Sequence, residues 1–78
     1  MVKILDVVVL TRSFPEYGLL PGDVGVVADV WRGGDLLEVE FATAKGETVA
    51  LLTLAPEDVR LVAANEIYQV RELTKKAT

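Results

Sequence analysis

The chain has 78 residues, no cysteine, no histidine and a formal net charge of −4. This length allows one small domain, and the missing residue types exclude disulfides, zinc–thiolate sites, a thiol nucleophile and the commonest general base. Hydrophobic residues make up 51% of the chain, which is high for so small a domain, so we expect part of this apolar surface in a subunit interface.

The charge pattern argues against nucleic acid, and the hydropathy pattern argues against a membrane. Twelve acidic residues outnumber eight basic ones, which are scattered rather than grouped into the stripe that phosphate contacts need. The last two, Lys75 and Lys76, stand in a polar tail. The apolar start is interrupted by Asp6 and lacks the cleavage site of a signal peptide, and no apolar run is long enough to span a membrane. We expect a cytoplasmic protein.

Apolar residues alternate with a period of two, and Gly, Pro or Asp interrupt the pattern at regular intervals, which is typical of an all-β barrel or sandwich. The expected strands are residues 6–11, 23–31, 36–43, 47–54 and 59–62. An irregular loop at 13–22 separates the first two strands, with Phe14, Tyr17, Leu19 and Leu20 available to hold it against the barrel. Pro56 and the acids after it predict a single helical turn at 55–58.

Three glycine-containing positions are expected to shape the backbone. Pro21 and Gly22 predict a tight turn before the second strand. Gly25 lies inside that strand and indicates either a bulge or a close backbone approach. Gly33 and Gly34 predict the hairpin that joins the second and third strands, with positive φ angles.

The third strand carries a candidate for a cation site. Its inward face is expected to consist of Leu37, Val39 and Phe41, with Glu38 and Glu40 on the other face. Those two carboxylates, joined by Glu47 or Asp29 from a neighbouring strand, would suit a hard cation such as Ca²⁺ or Mg²⁺. We interpret them instead as the solvated side of a half-buried strand, and we expect no metal and no cofactor.

The fourth strand and the C-terminal segment are the expected contact surfaces. In the fourth strand Ala50, Leu52 and Leu54 are predicted to point inward, leaving Val49 and Leu51 outside. After it, residues 63–73 fit two forms. Asn65 can cap a helix that carries Ile67, Val70 and Leu73 on one face, or residues 67–70 can form an extended strand. We favour the extended form, because Ile, Tyr and Val are strand-prone.

Trp31 stands beside Arg32 and the Gly–Gly turn; it either contacts a partner, since interfaces favour Trp and Arg, or covers the end of the barrel. Phe14 and Tyr17 lie where SH3 domains bind proline-rich peptides, but they are interpreted as anchors of the long loop. The full set of interface candidates is Trp31, Arg32, Val49, Leu51, Ile67, Tyr68 and Val70.

Several stretches resemble known families. The run Gly22–Val30 (GDVGVVADV) is similar to the second strand of translation-protein SH3-like and KOW barrels. Residues 4–73 resemble the DUF4926 family of small bacterial proteins, a domain of unknown function that brings no catalytic residues with it. The stretches that carry this resemblance are Leu5–Thr11, Pro15–Leu19, Pro21–Val27, Glu38–Phe41, Gly46–Thr48, Leu52–Leu54 and Val70–Leu73.

A looser likeness, carried by Arg12, Pro15, Tyr17 and Gly22–Val27, is to the SH3-like domain of the nitrile hydratase β subunit. It implies a role beside a larger enzyme, by analogy of fold alone.

Together these observations predict one domain, residues 1–78. It is an all-β, small five-stranded SH3-like barrel (core 4–62) with a long loop between strands 1 and 2 and an apolar C-terminal extension (63–78). The chain offers no recognisable catalytic residues, so we expect a protein-interaction module that forms a homo-oligomer, a dimer or trimer. The alternatives are an accessory or antitoxin-like subunit of another protein and, disfavoured by the acidic charge, a nucleic-acid-binding barrel.

Overall fold

The computed structural model describes residues 2–73, and these contain five antiparallel strands. The strands form one sheet in the order β4-β3-β2-β1-β5, which confirms the predicted all-β, five-stranded fold. Their bounds are β1 Val7–Leu10, β2 Val24–Trp31, β3 Leu36–Ala42, β4 Thr48–Leu54 and β5 Val59–Leu61. In the described part of the chain, no helix is long and apolar enough to cross a membrane.

The core is a single cluster of apolar side chains on the inward face of the sheet. Val59 of β5 and Leu54 of β4 both belong to it, although no backbone ladder joins these two strands within residues 2–73. The sheet therefore curls around one core in the SH3-like manner without being closed by hydrogen bonds. The inward direction predicted for alternate residues of β3 and β4 is confirmed for Leu37, Val39, Phe41, Ala50, Leu52 and Leu54.

The loop between β1 and β2 contains more structure than its prolines and glycines predicted. Pro15–Tyr17 forms a turn of 3-10 helix, and Phe14 and Leu19 form an isolated bridge around it, with both side chains buried. The guanidinium of Arg12 lies 4.0 Å from the centre of the Phe14 ring and is paired with Asp58 at 2.8 Å. Phe14 is the anchor that the sequence predicted, whereas Tyr17 is exposed.

The predicted turns are present. Pro56–Asp58 is a single 3-10 turn, in which Asp58 accepts a hydrogen bond from the Ala55 amide at 3.1 Å. Gly33 and Gly34 both adopt positive φ in the connection between β2 and β3. Gly22 has a φ of 96°, and its amide donates to the Leu10 carbonyl at 2.9 Å.

Gly25 marks a close approach rather than a bulge. A Cβ placed on it would lie 2.7 Å from Val39 Cγ1 and 2.8 Å from Phe41 Cε2. The bulge in β2 lies three residues further on, because Val27 pairs with Val39 while Asp29 pairs with Glu38. Ala28 is therefore the extra residue.

This bulge decides which side chains at the end of β2 reach the core. Uninterrupted alternation from Val27 would turn Asp29 and Trp31 inward. With Ala28 inserted, Val30 packs against the core and Trp31 is exposed. The Asp29 carboxylate accepts a hydrogen bond from the Val30 amide at 2.8 Å.

A second irregularity changes the predicted outward direction of Val49. Phe41 pairs with Ala50 and Ala42 pairs with Thr48, so Val49 has no partner on β3. Its side chain is half-buried and packs against the core cluster. Leu51, one alternation further on, is exposed as predicted.

After β5 the chain forms neither of the two expected structures. Residues 62–73, which we call the C-terminal arm, contain a turn at Ala64–Asn65 and are otherwise irregular. Glu66 donates its amide to the Ala63 carbonyl at 3.1 Å to close this turn. The predicted polar tail with Lys75 and Lys76 lies outside the described residues.

Candidate interaction surface

The arm begins with a sharp turn that side chains hold in place. The two terminal nitrogens of the Arg60 guanidinium each donate a 2.8 Å hydrogen bond to the Glu66 carboxylate. The same carboxylate accepts the Ala63 amide at 2.7 Å. The Arg60 guanidinium and then the Ala63 amide lower the pKa of Glu66 to about 2. A bidentate pair between β5 and the arm thus redirects the chain back across the sheet.

The far end of the arm is fixed by Arg71. Its Nε donates to Asp23 Oδ1 at 2.8 Å, and its Nη2 donates both to Asp23 Oδ2 and, at 2.8 Å, to the Gly18 carbonyl. Asp23 Oδ2 also accepts the Leu20 amide at 2.8 Å. Both charged side chains are partly buried, so we name this arrangement, Arg71 with Asp23 and the Gly18 carbonyl, the arginine clamp.

The clamp changes the ionisation of Asp23. Burial by itself raises the pKa of this carboxyl, but the hydrogen bonds from Arg71 and from the Leu20 amide outweigh it. The net pKa lies below the ordinary value of 3.8. Asp23 is therefore ionised at neutral pH, which is the state that holds a guanidinium.

Between these two fixed points the arm crosses the outer face of the sheet. Val9 of β1 is 8% exposed although it does not belong to the core cluster. It pairs with Val24 of β2, and both side chains line a cleft of about 170 Å³ together with Tyr68 and Gln69 of the arm. Gln69 Oε1 lies 3.4 Å from the place that a Cβ on Gly22 would take. The arm therefore covers a valine pair that an open sheet would expose.

A larger hollow, of about 460 Å³, lies between the arm and the ends of β3 and β4. Leu19, Phe41, Val49, Tyr68 and Leu73 contribute apolar side chains to it. The chain thus carries a surface hollow lined by its own arm on one side.

Two apolar side chains of the arm are almost fully exposed. Ile67 is 94% exposed and Val70 is 93% exposed. Tyr68, between them, is partly covered by the sheet. The arm therefore lies over the sheet with Ile67 and Val70 almost wholly in solvent, while Tyr68 and Leu73 are about half exposed.

Six of the seven sequence-predicted interface residues fall into two groups, and the seventh, Leu51, is exposed on β4. Ile67, Tyr68, Val70 and Val49 lie at the arm or beside the hollow under it. Trp31 and Arg32 are exposed at the opposite end of β2 from Asp23. The eight residues of β2 span about 23 Å at the usual rise per residue, so these two groups are separate surfaces.

The arginine clamp was missed in the sequence. Arg71 and Asp23 are 48 residues apart; Arg71 was counted among the scattered basic residues, and Asp23 was interpreted only as the first residue of the second strand. The available signal was local: Asp23 follows the Pro21–Gly22 turn, and Arg71 is the one cation in the mostly apolar stretch 67–73.

The carboxylates that the sequence analysis considered as cation ligands are not arranged as a cation site. Glu40 accepts a 2.6 Å hydrogen bond from the Thr48 hydroxyl across the β3–β4 pair. Among residues 2–73, no group of three or more carboxylates is placed to hold a metal ion.

Comparison with known proteins places the chain in one family. The family model described as a domain of unknown function (DUF4926) matches residues 4–61, about three quarters of the chain. The chain belongs to this family. The match ends at the last residue of β5, so the C-terminal arm lies beyond it, whereas the resemblance had been expected to reach Leu73.

Neither the curated proteins nor the solved structures contain a match to this chain. The likeness to the nitrile hydratase SH3-like domain therefore stays a prediction.

Proposed function

We propose that this DUF4926 domain is a non-enzymatic interaction module that self-associates through its C-terminal arm. The observation that carries the proposal is the near-complete exposure of Ile67 and Val70 on a segment that Arg71 ties to Asp23 of the sheet. Burying either side chain in a partner would contribute about 1.5–3 kcal/mol.

The charge distribution supports a protein partner over nucleic acid. Within residues 2–73 there are six basic side chains, and Arg12, Arg60 and Arg71 are paired with carboxylates of the same chain. A carboxylate beside a guanidinium offsets its positive charge and so weakens its attraction for a phosphate. The net charge of −4 adds long-range repulsion toward a polyanion.

The test is the oligomeric mass of the full chain measured by sedimentation velocity over a wide range of concentrations. The wild type is expected to exceed 8.5 kDa by a whole-number factor. The double variant Ile67→Ser/Val70→Ser is expected to associate at least about tenfold more weakly, since each tenfold change corresponds to about 1.4 kcal/mol.

Ile4→Ser is the matched control, because Ile4 is also an exposed aliphatic residue but lies at the other end of the chain. It should leave the association constant unchanged. A wild type that remains at 8.5 kDa at every concentration contradicts self-association. Equal weakening by the control and the double variant contradicts the assignment of the surface to the arm.

A further inference from the structure

We propose that the arms of two copies exchange, so that Arg71 of one copy occupies the site formed by Asp23 and the Gly18 carbonyl of the other. This inference rests on the proposed self-association and names its geometry. It assigns the arginine clamp as a binding site for an irregular, arginine-bearing segment, with a second copy of this chain as the partner that supplies it.

The site for Arg71 is built without the arm. Asp23 is oriented by the Leu20 amide, and Gly18 is fixed in the left-handed region at the end of the 3-10 turn. The bridge between Phe14 and Leu19 closes the loop through two backbone hydrogen bonds, of 2.9 and 3.2 Å. An anionic carboxylate and a carbonyl oxygen therefore face outward together, and they fit a guanidinium from any copy.

The arm itself is held within its own chain by few directional contacts. Among the described residues, no backbone hydrogen bond joins residues 67–73 to the sheet. Arg71 supplies the hydrogen bonds between this part of the arm and the barrel. A segment held by one charged group and a few apolar contacts opens more readily than a strand in a ladder.

The arm is long enough to reach a neighbour. From Val62 to Arg71 there are nine residue steps, which span about 30 Å when extended. The structure measures 35 × 30 × 22 Å along its principal axes. Opening the turn that Glu66 closes would therefore let Arg71 reach the clamp site on an adjacent copy.

The exposure of Ile67 and Val70 favours the exchanged form. When the arm lies on its own barrel, both side chains remain in water. In a twofold exchange in which the two arms cross between the barrels, each arm lies on the other copy's sheet. Ile67 and Val70, which remain exposed when the arm covers a sheet, then face the second arm or their own barrel. The contact within one chain leaves an apolar pair uncovered, and exchange covers it.

The first experiment mixes two charge-reversed proteins. Arg71→Glu reverses the charge that the arm carries, and Asp23→Arg reverses the charge of the site that receives it. Each variant alone is expected to self-associate at least about tenfold more weakly than the wild type. An equimolar mixture is expected to recover a heterodimer, because each arm then meets a site of opposite charge on the other copy. A mixture that stays as weakly associated as its components, beside a wild type that dimerises, overturns the exchange.

The second experiment keeps the wild-type sequence, so it does not depend on Asp23→Arg folding. Isotope-filtered NMR on a mixture of labelled and unlabelled protein is expected to show contacts between Tyr68 of one copy and Val9 of the other. If the protein is a dimer and these contacts occur only within one chain, the exchange is wrong while the proposed self-association stands. If the wild type is monomeric at all concentrations, both are wrong.

Discussion

The substitution Gly25→Ala tests how closely the two central strands pack. Gly25 is buried in β2 and does not have a positive φ, so alanine meets no backbone strain there. Its Cβ would lie 2.7 Å from Val39 Cγ1, 2.8 Å from Phe41 Cε2 and 3.0 Å from the Glu40 carbonyl oxygen. Relaxed carbon–carbon contacts are about 3.5–4.0 Å, so each carbon contact is too short by roughly 1 Å.

The neighbours have little room to yield, because Val39 is 0% exposed and Phe41 is 2% exposed. Overpacking of this kind costs about 1–3 kcal/mol. Alanine also reduces the conformational entropy of the unfolded chain, which offsets about 0.4–1 kcal/mol of this cost. We expect a net destabilisation of about 1–2 kcal/mol, which lowers Tm by about 5–15 °C for a domain of this size.

Urea and thermal unfolding followed by circular dichroism measure this loss. The double variant Gly25→Ala/Val39→Ala is the control, because removal of Val39 Cγ1 relieves the shortest contact. Its destabilisation should be less than the sum of the two single changes. A Gly25→Ala protein as stable as the wild type, or strictly additive costs, would refute the packing argument.

Three further outcomes follow from the same contacts. Because the pKa of Asp23 is lowered in the folded state, its ionised form stabilises the clamp above its ordinary pKa of 3.8, and this contribution is lost as the pH falls. The carboxyl ¹³C shift of Asp23 should therefore titrate with a midpoint below pH 3.8, and Arg71→Gln should raise that midpoint. An unchanged midpoint in Arg71→Gln would show that Arg71 does not lower the pKa of Asp23. Glu66 should titrate near pH 2, its contribution fading as the pH falls from 4.5 toward 2, and Arg60→Gln should move the midpoint upward in the same spectra. Leu37→Ala, at a core position only 1% exposed, should lower the free energy of unfolding by about 2–5 kcal/mol in urea titrations, and a loss under 1 kcal/mol would contradict its place in the core.

Local patterns in the sequence predicted most of the fold. Each strand was found within two residues of its observed bounds, because the period of two and the turn residues are properties of neighbouring positions. The glycine pair at 33–34 and Pro56 marked real turns for the same reason.

The tertiary structure decided the features that depend on pairing between distant residues. The bulge at Ala28 exists only in the register between β2 and β3, so the sequence alone did not reveal that Val30 would turn inward. The unpaired position of Val49 depends in the same way on β3 and β4. The spacing of residues within a single strand determines neither of these pairing registers.

The candidate interaction surface likewise combines features that local sequence patterns predict with features that contacts between distant residues decide. Composition and apolar spacing were sufficient to single out Ile67, Tyr68 and Val70 as interface candidates. Only the folded chain brings Arg71 to Asp23 across 48 residues, and so determines which side of the arm lies on the sheet and which side meets solvent. A long-range ion pair leaves no regular pattern in the sequence, because the fold of the β-sheet determines whether the two charges come close enough to interact.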